Sequence, residues 1–245
     1  MHGIERHVLL PLPTFLGIDL SITNEVLLLW IAALLTGTLL WRACRRTEPL
    51  PRNRLQNLFE AVILFIEKEV VRAGIGAEGP AWSPFLLTLF FFILSCNLLG
   101  MLPAPAHVQA VTANLSVTLA LALVVFGVTI LVGFRRHGLV GFLRKFVPTG
   151  VPRWIAALVV PIEVVSWLAK PLSLALRLFA NMLAGHSLIF TFVALEMTVA
   201  WFLIPLPLVG AVAMSVFELF VCVIQAFIFT LLAGLYIKEA LESRA

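Results

Sequence analysis

Lys170-Pro171-Leu172-Ser173-Leu174-Ala175-Leu176-Arg177-Leu178-Phe179-Ala180-Asn181-Met182-Leu183-Ala184-Gly185-His186 decides the fold, because a single arginine stands in the middle of an apolar stretch. A guanidinium in hydrocarbon is costly, and arginine cannot escape the cost by losing its proton. Something must use that permanent charge. Glu163 and Lys170 precede Arg177 at intervals of seven residues, so on a straight helix all three lie within about 40° of one another. One face of one membrane helix is therefore polar.

Working outward, the chain is 61% hydrophobic and only 12% charged, with a mean hydropathy of +1.06. That excludes an ordinary soluble domain and predicts an all-α polytopic membrane protein. No Asp, Glu, Lys or Arg occurs between Glu78 and Arg135, enough chain for two crossings of about 20 residues each, with Gly100, Pro103 and Pro105 supplying the turn. The formal charge of +4 does not point to nucleic acid, because the basic residues are grouped beside apolar spans. Arg42, Arg45, Arg46, Arg52 and Arg54 follow the first span, and Arg135, Arg136, Arg144, Lys145 and Arg153 follow the third. The positive-inside rule makes both loops cytoplasmic. The 103–114 connection carries only His107 and reads as the outer side.

The expected order is an outer-face segment over 1–25 containing Pro11, Pro13 and Asp19, a first span over 26–41, and an amphipathic helix at the cytoplasmic surface over 53–72. Spans over 83–101 and 112–134 follow, then two long tilted segments over 153–195 and 201–238 that form a hairpin. The 153–195 segment exceeds the about 25 residues of an upright span and must tilt, bend at Pro161 and Pro171, or both. Five crossings put the N-terminus outside and the C-terminus inside. No removable signal peptide is expected. Cys44, Cys96 and Cys222 have neither metal-ligand spacing nor the pattern of a disulfide framework. With no phosphate loop or paired-His motif, neither a cofactor nor a metal is expected, and nucleotide chemistry is not expected on this chain.

Between Arg153 and Lys238 the only charged residues are Glu163, Lys170, Arg177, Glu196 and Glu218, joined by Asn181, His186 and Gln225. They could simply pair and fix helix packing, but a polar pair in a bilayer contributes only about 0.6–2 kcal/mol, little reason to keep so many. In an antiparallel hairpin, facing residues have nearly constant sums of residue numbers. The sums for Arg177 with Gln225 and for His186 with Glu218 differ by two, so both pairs are expected to face each other, with the turn near Trp201. His186, nine residues beyond Arg177, points about 180° away from it. His and Glu can change protonation near neutral pH in a suitable environment, whereas Arg stays charged. The arrangement predicts a proton relay beside an electrostatic barrier.

These residues resemble a known family, subunit a of the F-type ATP synthases. The 170–185 run is similar to its central motif, and Gln225-Ala226-Phe227-Ile228-Phe229 to its last-helix motif. Weaker likeness at Thr112-Ala113-Asn114-Leu115-Ser116-Val117-Thr118, Asn97-Leu98-Leu99-Gly100-Met101-Leu102-Pro103 and Gly17-Ile18-Asp19 extends the resemblance over nearly the whole chain. It implies a stator subunit of the bacterial inner membrane, itself not hydrolysing ATP. The implied partners are a rotating c-subunit ring, the b subunits of the peripheral stalk, the ATP-hydrolysing sector and membrane lipid. It also implies that Arg177 is the essential charge facing the c-ring carboxylate and blocks proton leakage between two offset half-channels. Glu163, Ser166 and Ser173 resemble the inner half-channel, and Asn97, Asn181, His186, Glu218 and Gln225 the outer half-channel and interface. Many bacterial relatives carry Glu after the Ala-Gly pair and His on the last helix. His186 and Glu218 are an exchange that resembles mitochondrial members and keeps one acid and one imidazole. Relatives often place Asp near the end of the second span, where this chain has Gly100. Two other readings use the same residues: a proton-coupled secondary transporter, which usually shows repeated halves that are not evident here, and a structural scaffold, in which Arg177 would tolerate neutral replacement.

Overall fold

The computed structural model describes residues 8–10, 22–45, 54–102, 110–144 and 152–242. Pro11, Pro13, Gly17, Asp19, Arg46, Arg52, Pro103, Pro105, His107 and Lys145 lie outside the described residues. The main elements are the helices α1 (Asn24–Arg45), α2 (Arg54–Ile66), α3 (Gly79–Gly100), α4 (Leu115–Arg144), α5 (Arg153–Glu196) and α6 (Pro205–Leu241). A small antiparallel ribbon joins β1 (Val8–Leu10) to β2 (Ile22–Thr23) ahead of α1. Five of the described helices are long and apolar enough to cross a membrane: Asn24–Arg42, Gly79–Gly100, Leu115–Phe142, Trp154–Glu196 and Pro205–Leu241. The protein is an all-α polytopic membrane protein.

Helix ends follow local chemistry. Glu25 stands in the first turn of α1, where its negative charge meets the positive end of the helix dipole. Beyond Ile66, α2 continues as a π-helical stretch over Glu67–Ile75, longer than the expected 53–72. Leu58, Leu64 and Phe65 are exposed on this element while Ile66, Val70 and Val71 are buried. Residues Val111–Ala113 form a 3-10 turn before α4, so the helix starts later than the expected 112. It also runs past Phe134 to Arg144, across a break at Gly138 (φ 67°, ψ 176°). Only glycine adopts that φ without strain. At the other end of the hairpin, Trp201–Leu203 is a 3-10 turn and Pro205 opens α6, where a missing N–H is harmless.

At 44 and 37 residues, α5 and α6 would be about 66 and 55 Å long at 1.5 Å per residue. The hydrocarbon layer is only about 30 Å thick, so neither helix can stand upright along its whole length. Pro161 and Pro171 lie inside α5, which continues through both.

The chain divides into two compact units. One comprises Met1–Arg52, Thr88–Asn114 and Ala180–Ala226, the other Asn53–Leu87, Leu115–Phe179 and Phe227–Ala245. In the first, Ala32 and Thr36 of α1 are buried one turn apart, and Thr36 Oγ1 donates to Ser95 Oγ of α3 at 3.3 Å. Small and hydroxyl side chains suit close helix packing in lipid. In the second, Phe126, Phe134, Phe142 and Trp167 form one aromatic cluster with centroid separations of 4.4 to 5.6 Å. Phe142 reaches it because the chain turns at Gly138 and lays the ring against Gly133. A Cβ on Gly133 would lie 2.6 Å from that ring. Gly133→Val should therefore destabilise the protein by about 1–3 kcal/mol through overpacking. A thermal-denaturation series in detergent that includes Gly133→Val with Phe142→Ala should show partial recovery in the double variant.

Candidate functional site

The first unit holds a buried acid and imidazole in contact. His186 of α5 places Nδ1 2.9 Å from Glu218 Oε1 of α6 and Nε2 3.1 Å from the Gly100 carbonyl oxygen at the end of α3. A carbonyl can only accept, so Nε2 carries a proton. The short Nδ1–Oε1 contact then needs a proton of its own, since an imidazole lone pair facing a carboxylate would repel it. That proton belongs either to the carboxyl group, as O–H···N, or to the ring, as N–H···O. With that proton lost, a neutral ring can donate in only one of its two contacts, to Glu218 or to Gly100. The pair is thus an acid and an imidazole in direct hydrogen-bond contact, an arrangement through which a proton can in principle be exchanged. Glu218 is 3% exposed, and its second oxygen, Oε2, is buried without a hydrogen-bond partner.

Two further contacts continue the polar lining. Asn181 Nδ2 donates to Gln225 Oε1 at 2.7 Å, and Asn97 Nδ2 donates to the Cys222 carbonyl at 3.3 Å. Glu218, Cys222 and Gln225 follow each other at steps of four and three residues and so share one face of α6. Asn97 Oδ1, Gln225 Nε2 and Thr112 Oγ1 are buried without a partner, like Glu218 Oε2. All four atoms belong to the first unit. Buried polar atoms are nearly always paired, which sets these four apart.

The hairpin register brings His186 to Glu218. Gln225, however, is hydrogen-bonded to Asn181, one helical turn beyond Arg177. A sum of residue numbers fixes the level of a contact only to within about a turn, and Arg177 and Asn181 lie only about 40° apart on the helix.

In the second unit Arg177 is exposed and forms neither a hydrogen bond nor an ion pair among the described residues. Lys170 Nζ pairs with Glu239 Oε2 of α6 at 2.5 Å and lies 5.5 Å from the Tyr236 ring centroid. Glu163 is half-buried, and Ser166 and Ser173 are exposed. Ser166, Ala169, Ser173 and Arg177, all in the second unit, are exposed and follow at steps of three or four. Arg177 thus stands in a row of small side chains. Among the described residues, no three His, Cys, Asp or Glu side chains group as a metal would require.

Some polar groups were not singled out from the sequence. The Asn114 amide donates to Glu25 Oε2, linking α1 to the approach to α4. The Cys222 carbonyl accepts from Asn97, and Glu239 takes Lys170. For Glu239 the hairpin rule gave no signal, since its residue-number sum with Lys170 exceeds those of both register pairs by five or more. For Glu25 and Asn114, far apart in the chain, there was none.

A family model described as ATP synthase A chain matches residues 26–238. The chain belongs to this family. It is 43% identical over 229 residues to "ATP synthase subunit a" of Myxococcus xanthus, covering 90% of this chain and 73% of that one. To the protein of the same description from Anaplasma marginale it is 40% identical over 232 residues, covering 95% and 94%. To that from Rhodospirillum rubrum it is 36% identical over 252 residues, covering 99% of each.

Gly185 is the backbone that lets Glu218 approach His186: a Cβ there would lie 2.5 Å from Glu218 Oε1. In an ordinary helix Gly→Ala is favourable by about 0.8–1.0 kcal/mol. Here Gly185→Ala should displace the carboxyl group and depress proton conduction severalfold while the protein still assembles. Passive proton flux through the membrane sector in vesicles measures it.

Proposed function

We propose that this chain is the proton-conducting stator subunit of an F-type ATP synthase in which the lining around His186 and Glu218 forms the outer half-channel. Asn97, Asn181 and Gln225 belong to that half-channel, while Glu163, Ser166 and Ser173 line the inner one. Arg177 meets the carboxylates of a c-subunit ring. The observation that carries this reading is the exposed, unpaired Arg177 in a row of small side chains. A permanent charge presented without a partner on a face that admits close helix approach calls for an anionic group on another subunit. The family contributes the partners: the c-ring, the b subunits of the peripheral stalk and, through the complex, the ATP-hydrolysing sector. The basic loops set the N-terminus outside and the C-terminus in the cytoplasm of a bacterial inner membrane.

The chemistry follows from the two kinds of group. A proton arriving from the outer side is held between His186 Nδ1 and Glu218 Oε1. The Glu218 carboxyl can release it through Oε2 to water and so to a rotor carboxylate. As the ring turns, a protonated rotor carboxyl group approaching Arg177 is favoured to ionise, because the guanidinium stabilises the anion. Its proton leaves by the inner path past Ser173, Ser166 and Glu163. Arg177 neither accepts a proton nor lets one pass, so charge crosses only with rotation. Glu163, fourteen residues before Arg177 and about 21 Å from it along the helix, cannot serve as its counterion.

Arg177→Ala should abolish ATP-driven proton pumping in membrane vesicles while the complex remains assembled. Arg177→Lys should also fail substantially, because an ammonium group lacks the planar donor fork and can deprotonate in an apolar site. Near-normal pumping by either variant, with subunit content verified by immunoblot, would sink the assignment.

For the outer path, His186→Ala or Glu218→Ala alone should slow proton translocation on the order of tenfold or more. The reciprocal variant His186→Glu with Glu218→His should regain a good part of it. Recovery no better than the worse single variant would mean that the two residues do not share a proton.

A further inference from the structure

Lys170 and Arg177 are seven residues apart on α5, which turns them about 20° from one another and separates them by about 10 Å along the helix. By helix geometry alone, both cations would face the same way. In the structure only Arg177 is left open. Lys170 Nζ is drawn onto Glu239 Oε2, with the Tyr236 ring beneath it at 5.5 Å. The Lys170 and Glu239 side chains are 27% and 35% exposed, so the pair is neither deep in the core nor freely hydrated. The neighbouring cation of α6, Lys238, lies 4.0 Å from Glu242 in its own (i, i+4) pair.

We propose that Glu239 is a positioning residue for proton translocation: by pairing with Lys170 it withdraws a second cation from the face that carries Arg177, so that one unpaired charge meets the rotor. The proposal rests on the reading of Arg177 above. Two open cations about 10 Å apart on one face would both attract a passing carboxylate. The second would hold it ionised away from the point where the proton must leave, and delay its reprotonation.

The pair differs from an ordinary structural ion pair in the pattern its variants should give. Assembled complexes in membrane vesicles carrying Glu239→Gln, Lys170→Gln and both changes would be compared for ATP-driven pumping. A second measurement is the rate at which a hydrophobic carbodiimide labels the rotor carboxyl group, since the reagent adds only to the protonated acid. Glu239→Gln uncovers Lys170 and should slow both by about tenfold, the scale of one unit charge at about 10 Å in a partly hydrated protein. Lys170→Gln and the double variant leave no second cation and should stay within about twofold of the unmodified complex.

A double variant as slow as Glu239→Gln, or a Lys170→Gln variant equally slow, overturns the proposal in favour of a purely structural pair. If Glu239→Gln does not assemble, the exchanged pair Lys170→Glu with Glu239→Lys decides. It keeps the pair neutral and should pump near normally, and failure of an assembled exchanged complex overturns the idea. Arg177→Ala in the same series separates the two levels. Normal pumping there refutes the role of Arg177, whereas its loss combined with unaffected Glu239→Gln refutes only the role of Glu239.

Discussion

An arginine that stays charged in an apolar stretch is the constraint on which the rest depends. The free energy of placing a guanidinium beside hydrocarbon must be offset by something, and in most membrane helices an acid on a neighbouring helix supplies it. This chain leaves Arg177 open while providing Lys170 with Glu239. The contrast between two cations seven residues apart is what turns a packing problem into a functional statement. On the function proposed above, the stabilising partner of Arg177 comes from another subunit.

The extreme length of α5 and α6 is the second determinant. Helices of 44 and 37 residues must lie aslant in the bilayer, and each contributes one stretch to either compact unit. The unit with Ala180–Ala226 carries the acid–imidazole pair and all four unpartnered buried polar atoms. The unit with Leu115–Phe179 carries Glu163, Lys170 and Arg177. Two groups of polar residues are thus assigned to different packed bodies by continuous helices, with no loop or separate domain needed.

Much of this was legible in the sequence, and the parts that were not have identifiable causes. Composition and span length gave the membrane class, because apolar runs in lipid have few alternatives to helix. The His186–Glu218 contact followed from one hairpin register, since antiparallel helices with a short connection have little freedom to slide. The same rule put Gln225 opposite Arg177, whereas its hydrogen bond goes to Asn181. A one-dimensional register cannot choose between residues a turn apart on one stripe. The extension of α4 beyond Phe134 was hidden by Arg135 and Arg136, which read as the start of a loop although arginine is a good helix former. The break lies instead at Gly138. Contacts such as Glu25 with Asn114 depend on which helices become neighbours, and no local pattern encodes that.

The one-proton bond between His186 and Glu218 also bears on what else could travel the same way. A relay of this kind moves charge by exchanging which atom owns a hydrogen, and nothing larger needs to pass the point where Gly185 closes on the carboxyl group. A hydrated sodium or potassium ion would have to shed its water to follow, whereas a proton needs only the contact between His186 Nδ1 and Glu218 Oε1.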